Sequence, residues 1–372
     1  MPSIFLGVDR EDIPYIEALS PQHVFLCERK DAETWSRIIS SRSDLDGVNV
    51  QKIDANSAIV FEERLFPLPI RPWMIPKLIP EGKRRKASLQ WLEAKTRSVS
   101  SVILGGGREE RSLFDSVVRQ LGSEIYDIFY SPLIQKRFGI EGNNLSSLLA
   151  RALFFHGEDR KSFVYHSPQV PQDLAIVWNS SIEKLLVRDG RVVSVVVNGV
   201  VYDVDELLYL ALPIGQILSL LEHVPKTIHV DARYISYRDE SWVSVHGDTS
   251  GLSTETFFID SAHPVVVGHT LSSHQAVFSF DASQSRDSLL LWLKDKNFTV
   301  EKEGTVSSWN PIWKIQSHFR YRRIATYLAS LGIRLIGKRA LFSHKSTQEL
   351  LSLHREHPDL EITEFLRIGN IC

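Results

Sequence analysis

Residues 3–28 leave this chain few folds to choose from. Residues 3–7 read Ser-Ile-Phe-Leu-Gly, a short apolar run closed by a glycine, and predict a buried strand. Residues 9–19 then predict a helix with Pro14 in its first turn, where the missing proline amide is not needed. Residues 23–28, HVFLCE, predict a second strand ending on a carboxylate, about 20 residues after Gly7. Parallel strands joined by a helix need cover on both faces, so this unit commits the N-terminus to an α/β layer. It is also the skeleton of a dinucleotide-binding βαβ unit.

The rest of the chain alternates between helical and strand text. Residues 64–80 (RLFPLPIRPWMIPKLIP) are proline-rich and predict an extended crossing segment, followed by a charge run at 81–86 and a helical pattern through Val102. Leu113, Phe114, Val117, Val118 and Leu121 recur at helical spacing, a second helix is expected over 126–130, and Pro132 is expected to interrupt or kink the pattern. Residues 175–212 carry AIVW, IEKLLV, RVVSVVV and VVYDVDELLYLAL, divided at Asp189-Gly190 and Asn198-Gly199, which predict a three-stranded meander. Strand text resumes over 227–280, helices are expected at 286–296 and 321–330, and a strand closes at 333–336. No repeat or low-complexity tract interrupts this order. The fold class is α/β (α+β).

Composition excludes several function classes. A chain of 372 residues with 43% hydrophobic and 24% charged side chains builds a sizeable core, but its net charge of −2 gives no field for nucleic acid. The basic run Lys83-Arg84-Arg85-Lys86 lacks interleaved aromatics and reads as a solvated loop. Two cysteines, Cys27 and Cys372, make no disulfide framework, which suits a reducing cytoplasm. A basic start followed by an apolar stretch is missing, and no window approaches about 18 apolar residues, so neither export nor a membrane span is expected. Gly105-Gly106-Gly107 lacks the lysine and hydroxyl of a triphosphate loop, His354 and His357 lack metal-site company, and no Gly-x-Ser-x-Gly elbow occurs.

Three segments carry a resemblance. Residues 113–147, with Gly122, Tyr126, Phe129, Pro132, Lys136 and Gly139, look like the helical substrate-domain segment of protoporphyrinogen-oxidase-like and UDP-galactopyranose-mutase-like flavoproteins. The strand at 207–212 followed by Pro213 and a helix over 214–221 resembles the same superfamily. So does IATYLASLGIRLIGKRALFSH, which is similar to the helix, strand and glycine-arginine motif that closes over the flavin. The chain is thus similar to the FAD-dependent amine-oxidase superfamily from residue 3 to about 350. That resemblance implies a discontinuous Rossmann-like FAD domain (1–65, 175–225, 330–372) interleaved with a substrate domain of sheet and inserted helices (66–174, 226–329). It implies FAD as cofactor and no metal.

The flavin motifs are eroded. Of the family's glycine loop only Gly7 remains, with Asp9 and Asp12 where the second and third glycines belong. Side chains there obstruct the approach of a pyrophosphate, and one like-charge pair near 4 Å costs roughly 4 kcal/mol against the roughly 12 kcal/mol of a nanomolar cofactor. Arg10 could offset part of this, and either aspartate could instead cap the helix. Glu28 stands at the ribose-binding carboxylate position, or is a surface residue beside Arg29 and Lys30; no glycine follows it until Gly47. At the closing motif Gly337 matches, Lys338 replaces arginine, and Ala340 stands for a second glycine. Gly7, Glu28, Gly337 and Lys338 are therefore the vestigial cofactor contacts.

The expected ligand groups are Tyr130, Lys136, Arg320, Arg322 and Arg323, converging with Lys338 on a cleft for a nucleotide-sugar diphosphate, which forked guanidinium donors suit. The alternative is that FRYRR is a solvated helix start. The expected function is a flavoprotein-fold homologue that has lost tight FAD binding and forms complexes with a flavoenzyme or a glycan-assembly enzyme. An active FAD-dependent oxidoreductase or sugar-nucleotide mutase with an atypical loop remains the alternative.

Overall fold

The computed structural model describes residues 3–8, 23–26, 53–54, 57–61, 64–67, 74, 77, 79–104, 111–153, 161–162, 175–177, 180–204, 207–253, 255–259, 263–280 and 286–342. The helix expected at 9–19, Glu28, both cysteines, Gly105-Gly106-Gly107, His354 and His357 lie outside them.

In chain order the first seven strands are β1 (Ser3–Val8), β2 (His23–Leu26), β3 (Ile53–Asp54), β4 (Ser57–Phe61), β5 (Arg64–Pro67), β6 (Lys161–Ser162) and β7 (Ala175–Val177). Then come β8 (Ile182–Arg188), β9 (Arg191–Val197), β10 (Val200–Asp203), β11 (Leu207–Leu210) and β12 (Ser236–His246). The last are β13 (Glu255–Phe258), β14 (Val265–Ser272), β15 (Gln275–Phe280), β16 (Thr299–Ile312) and β17 (Ile333–Leu335).

The N-terminal strands form a parallel sheet ordered β17-β11-β1-β2-β7. Phe5 stands opposite Val24 on one side and Tyr209 on the other, so β1 is central. Ile4, Leu6, Leu208, Leu210, Ile333 and Leu335, which share one face of this sheet, are all buried, and Tyr209 is buried on the other face. The predicted meander is the three-stranded sheet β10-β9-β8. Its turns place Asp189 and Gly190, then Asn198 and Gly199, at positive φ (52° and 75° in each pair), the dihedrals a two-residue hairpin loop needs. The final apolar run divides, however: β10 closes this hairpin sheet, whereas β11 enters the parallel sheet.

A larger sheet, ordered β16-β12-β15-β14-β13-β4-β5, carries most of the remaining strand text. Its surprise is β16, hidden in the sequence by the charged run Glu301-Lys302-Glu303. Glu301 and Glu303 are exposed on an edge strand, where charge blocks further pairing. The strand text expected from 227 begins instead with a helix, Lys226–Ala232, because Ile228 and Asp231 recur at helical spacing and are buried together after Pro225.

The charge run 83–86 lies in the Glu81–Leu104 helix rather than in a loop, and Lys83 and Lys86 both reach the largely buried Glu124. The Leu113–Leu121 helix starts at a capping box in which Ser112 and Asp115 bond each other's backbone amides. Tyr126–Tyr130 is a π-helical turn, which brings Tyr126, Phe129 and Tyr130 inward together. Pro132 follows that π-helical turn directly, within a helical run continuous from residue 123 to 138, so the regular α-helical bonding is interrupted there as expected while the segment as a whole stays helical. Gly142 lies directly against the Tyr126 hydroxyl, leaving no room for a β-carbon. Gly142→Ala is expected to cost about 1–3 kcal/mol by overpacking. Adding Tyr126→Phe should recover most of the loss, which melting curves of the single and double variants will measure.

One continuous core joins the parallel sheet to the helical segment, and a second, built on Val245, Phe258, Phe278 and Leu293, lies between the large sheet and the Arg286–Asp295 helix. Among the described residues no helix is long and apolar enough to cross a membrane.

Candidate functional site

The carboxyl ends of β1, β11 and β17 lie side by side. The pairing continues past the strands: Ala211 N donates to Leu6 O and Ile336 N donates to Leu210 O, each at 3.0 Å. The chain leaves β1 toward β2 on one side, while β11 and β17 lie on the other. In an open parallel sheet the crevice opens where neighbouring connections diverge in this way, and ligands bind there. Gly7 is the next-to-last residue of β1, at the point where its register with β2 shifts. Gly337 follows β17 with φ +74°, a left-handed backbone that explains a glycine there, and Lys338 lies in the short Gly337–Ala340 helix.

The turn after β17 is fastened by side chains from elsewhere in the chain. Tyr237 of β12 donates its hydroxyl proton to Arg339 O (2.8 Å) and accepts from Ile214 N (3.3 Å), tying this turn to the helix that follows β11. Tyr321 donates to Ala340 O (3.0 Å), and Trp313 Nε1 donates to Phe342 O (2.7 Å). Phe342 has no exposed surface; its ring meets Tyr237 edge-on at 5.4 Å and stacks on Tyr321 at 5.6 Å. Burial pushes the Tyr237 hydroxyl far above its ordinary pKa, so it stays a proton donor at any ordinary pH. Sequence reading passed over Tyr237, Trp313 and Tyr321. The one local signal was the buried face Tyr321, Ile324, Ala325 and Leu328 of the Ser317–Ser330 helix.

The predicted ligand residues have different partners. Tyr130 is buried in the π-helical turn, and burial raises its hydroxyl pKa. Lys136 is also buried; its ammonium donates to Phe258 O at 2.9 Å, while Arg238 donates to Lys136 O at 2.6 Å. Arg320 and Arg323 both bind Oδ1 of Asp231, which is 1% exposed. Burial alone would raise the Asp231 pKa, but the two guanidiniums more than reverse it and hold the carboxyl below its ordinary range. Arg322 is exposed on the same helix. Among the described residues no cluster of three or more His, Cys, Asp or Glu is placed to hold a metal ion.

No protein-family model and no curated protein sequence matches the chain. Among solved structures, reduced UDP-galactopyranose mutase superposes with a TM-score of 0.67 at 14% identity, over 100% of this chain and 98% of that one. The fold is shared with UDP-galactopyranose mutase and with amine oxidases. Cyclohexylamine oxidase from Brevibacterium oxydans IH-35A superposes with a TM-score of 0.55 at 9% identity, covering 92% of this chain and 94% of that one. A putrescine oxidase gives 0.54 at 11% identity, covering 90% and 92%. At these identities the likeness concerns architecture, and the Rossmann-type sheet expected from residues 3–28 is part of it.

Proposed function

We propose that this chain uses the flavoprotein fold without holding FAD tightly, and serves as a binding or complex-forming protein in glycan or sugar-nucleotide metabolism. The observation that carries this reading is the turn at 337–342. Here Ala340, which stands for the family's second glycine, is fully buried, and the carbonyls of Arg339, Ala340 and Phe342 are bound by aromatic side chains of the chain itself, so the turn packs against its own protein. The sequence supports it, since Asp9 and Asp12 stand where the family's second and third glycines would let a pyrophosphate approach. On this reading the packed turn at 337–342 does not fit the group, and no chemical step is assigned to it.

The partner class is a flavoenzyme or a glycan-assembly enzyme, and the superposed mutase, named for UDP-galactopyranose, motivates the nucleotide-sugar alternative. Of the five predicted ligand residues, Lys136, Arg320 and Arg323 already have internal partners, so a protein partner is the stronger reading. Gly337 at positive φ, kept at the end of the parallel sheet, favours the second reading, an active FAD-dependent oxidoreductase or mutase.

Purified protein is expected to show no flavin absorption, and FAD should shift its melting temperature little. A ligand at a hundred times its Kd would add about 2.7 kcal/mol. Stoichiometric FAD released on denaturation overturns the reading in favour of the active enzyme. The double variant Asp9→Gly, Asp12→Ala should bind dinucleotides better than the parent; a fall in stability instead assigns the two aspartates to helix capping.

A further inference from the structure

We propose that the Lys226–Ala232 and Ser317–Ser330 helices together form a docking face for an acidic, amphipathic segment of another protein. The proposal rests on the complex-forming reading above and names the surface it would use.

Charge gives the first reason. Across the two helices, KTIHVDA and SHFRYRRIATYLAS, Asp231 is the sole carboxylate. It is 1% exposed and consumed by Arg320 and Arg323. Every outward charge on the pair is therefore positive: Lys226, Arg322 and Arg323, with Arg233 just beyond the first helix. On a chain whose net charge is −2, this local excess of cations stands out.

Apolar exposure gives the second. Val230 is 48% exposed, Tyr234 39% and Phe319 59%. The chain keeps turning after the first helix, since Tyr234 N donates to Asp231 O at 3.0 Å, so Val230 and Tyr234 stand one turn apart. Phe319 and Arg323 are likewise one turn apart on the second helix. The Arg320 guanidinium lies over the Tyr234 ring at 4.7 Å and links the two strips. Because Asp231 already holds two of the arginines in place, they have less freedom to lose when a partner binds.

The occupant follows from this mixture. Half-exposed Tyr and Phe beside arginine are the side chains that dominate protein interfaces, and a segment alternating aliphatic residues with Glu or Asp complements them in both respects. Nucleic acid affinity grows with the number of phosphates neutralised, and this face offers few cations. Anionic membrane binding gains about 1 kcal/mol per cation and calls for a continuous apolar stripe, which these separated side chains do not supply.

Fluorescence anisotropy with the full-length protein tests the proposal. The probe is a labelled helical peptide with Leu and Phe on one face and Glu elsewhere, compared with the same peptide carrying Lys for Glu and with one carrying Ser for the apolar residues. The acidic amphipathic peptide is expected to bind about tenfold or more tightly than either control, and Phe319→Ser and Arg322→Glu should each weaken it about tenfold. Neither residue belongs to the Asp231 ion pairs, and melting curves confirm that the variants fold. Equal binding of all three peptides, unchanged binding by both variants, or no binding overturns the proposal. So does tighter binding to anionic phospholipid vesicles or to single-stranded DNA than to the peptide. FAD found bound would remove the reading of an empty flavin site while leaving this result standing, and a failed peptide titration would leave the flavin result standing.

Discussion

Phe342→Ala is expected to lower stability by about 3–5 kcal/mol, the range for removing a fully buried aromatic ring from a packed core. Three observations set the upper end of that range. The ring has no exposed surface, it contacts the rings of Tyr237 and Tyr321, and its own carbonyl receives Trp313 Nε1. Once the ring is gone, the turn at 337–342 loses its packing anchor, and the hydrogen bonds from Tyr237, Tyr321 and Trp313 must hold it alone. Phe342 has φ +51°, a left-handed backbone that costs a side chain of this size, and only the surrounding packing sustains it. Phe342→Gly should therefore be no less stable than Phe342→Ala, although glycine is the poorer residue in ordinary backbone. Urea midpoints and slopes for the two variants measure this, and a loss below about 1 kcal/mol for Phe342→Ala would show that the aromatic cluster does not hold the turn.

The second large effect is expected at Asp231. Removing the carboxylate in Asp231→Ala leaves Arg320 and Arg323 facing each other with no counter-charge. Breaking a fully buried pair costs 3–5 kcal/mol. Here the arginine side chains are 26% and 58% exposed, so water screens part of that, and about 2–3 kcal/mol is expected. The pH dependence has a definite sign. The folded carboxyl has a lowered pKa, so its contribution is complete above the ordinary carboxylate range and is lost as pH falls through the folded value. The stability gap between the parent and Asp231→Asn should thus be constant from pH 7 to about pH 5 and shrink below about pH 4. A gap that stays flat to low pH would show that the carboxylate does not hold these helices electrostatically.

How much of this was legible in the sequence varies by element. The central strand β1, the strand β2 and the hairpins at Asp189-Gly190 and Asn198-Gly199 were readable because each rests on a few adjacent residues: an apolar run, or a pair that tolerates positive φ. The interruption at Pro132 was readable because proline has no amide to donate, but that it would be absorbed as a π-helical turn inside one helical run depends on the hydrogen-bonding frame. The β16 strand was missed because its alternation is covered by charges, which become explicable only once the strand is known to lie at a sheet edge. The basic run at 83–86 is solvated as expected, but its place in a helix and the partner of Lys86, Glu124, 38 residues away, were not legible locally.

Sequence by itself determined the local conformations and the α/β class, since periodicity and turn dihedrals are properties of neighbouring residues. Tertiary structure alone decided that Asp231 would neutralise arginines 89 and 92 positions away. It alone decided that Tyr237, 102 positions from Arg339, would fasten the turn that follows β17. The physical reason is that a strand or helix shows which face it must bury but not what will cover it; that depends on sheet order and helix packing, which bring together residues with no shared local pattern.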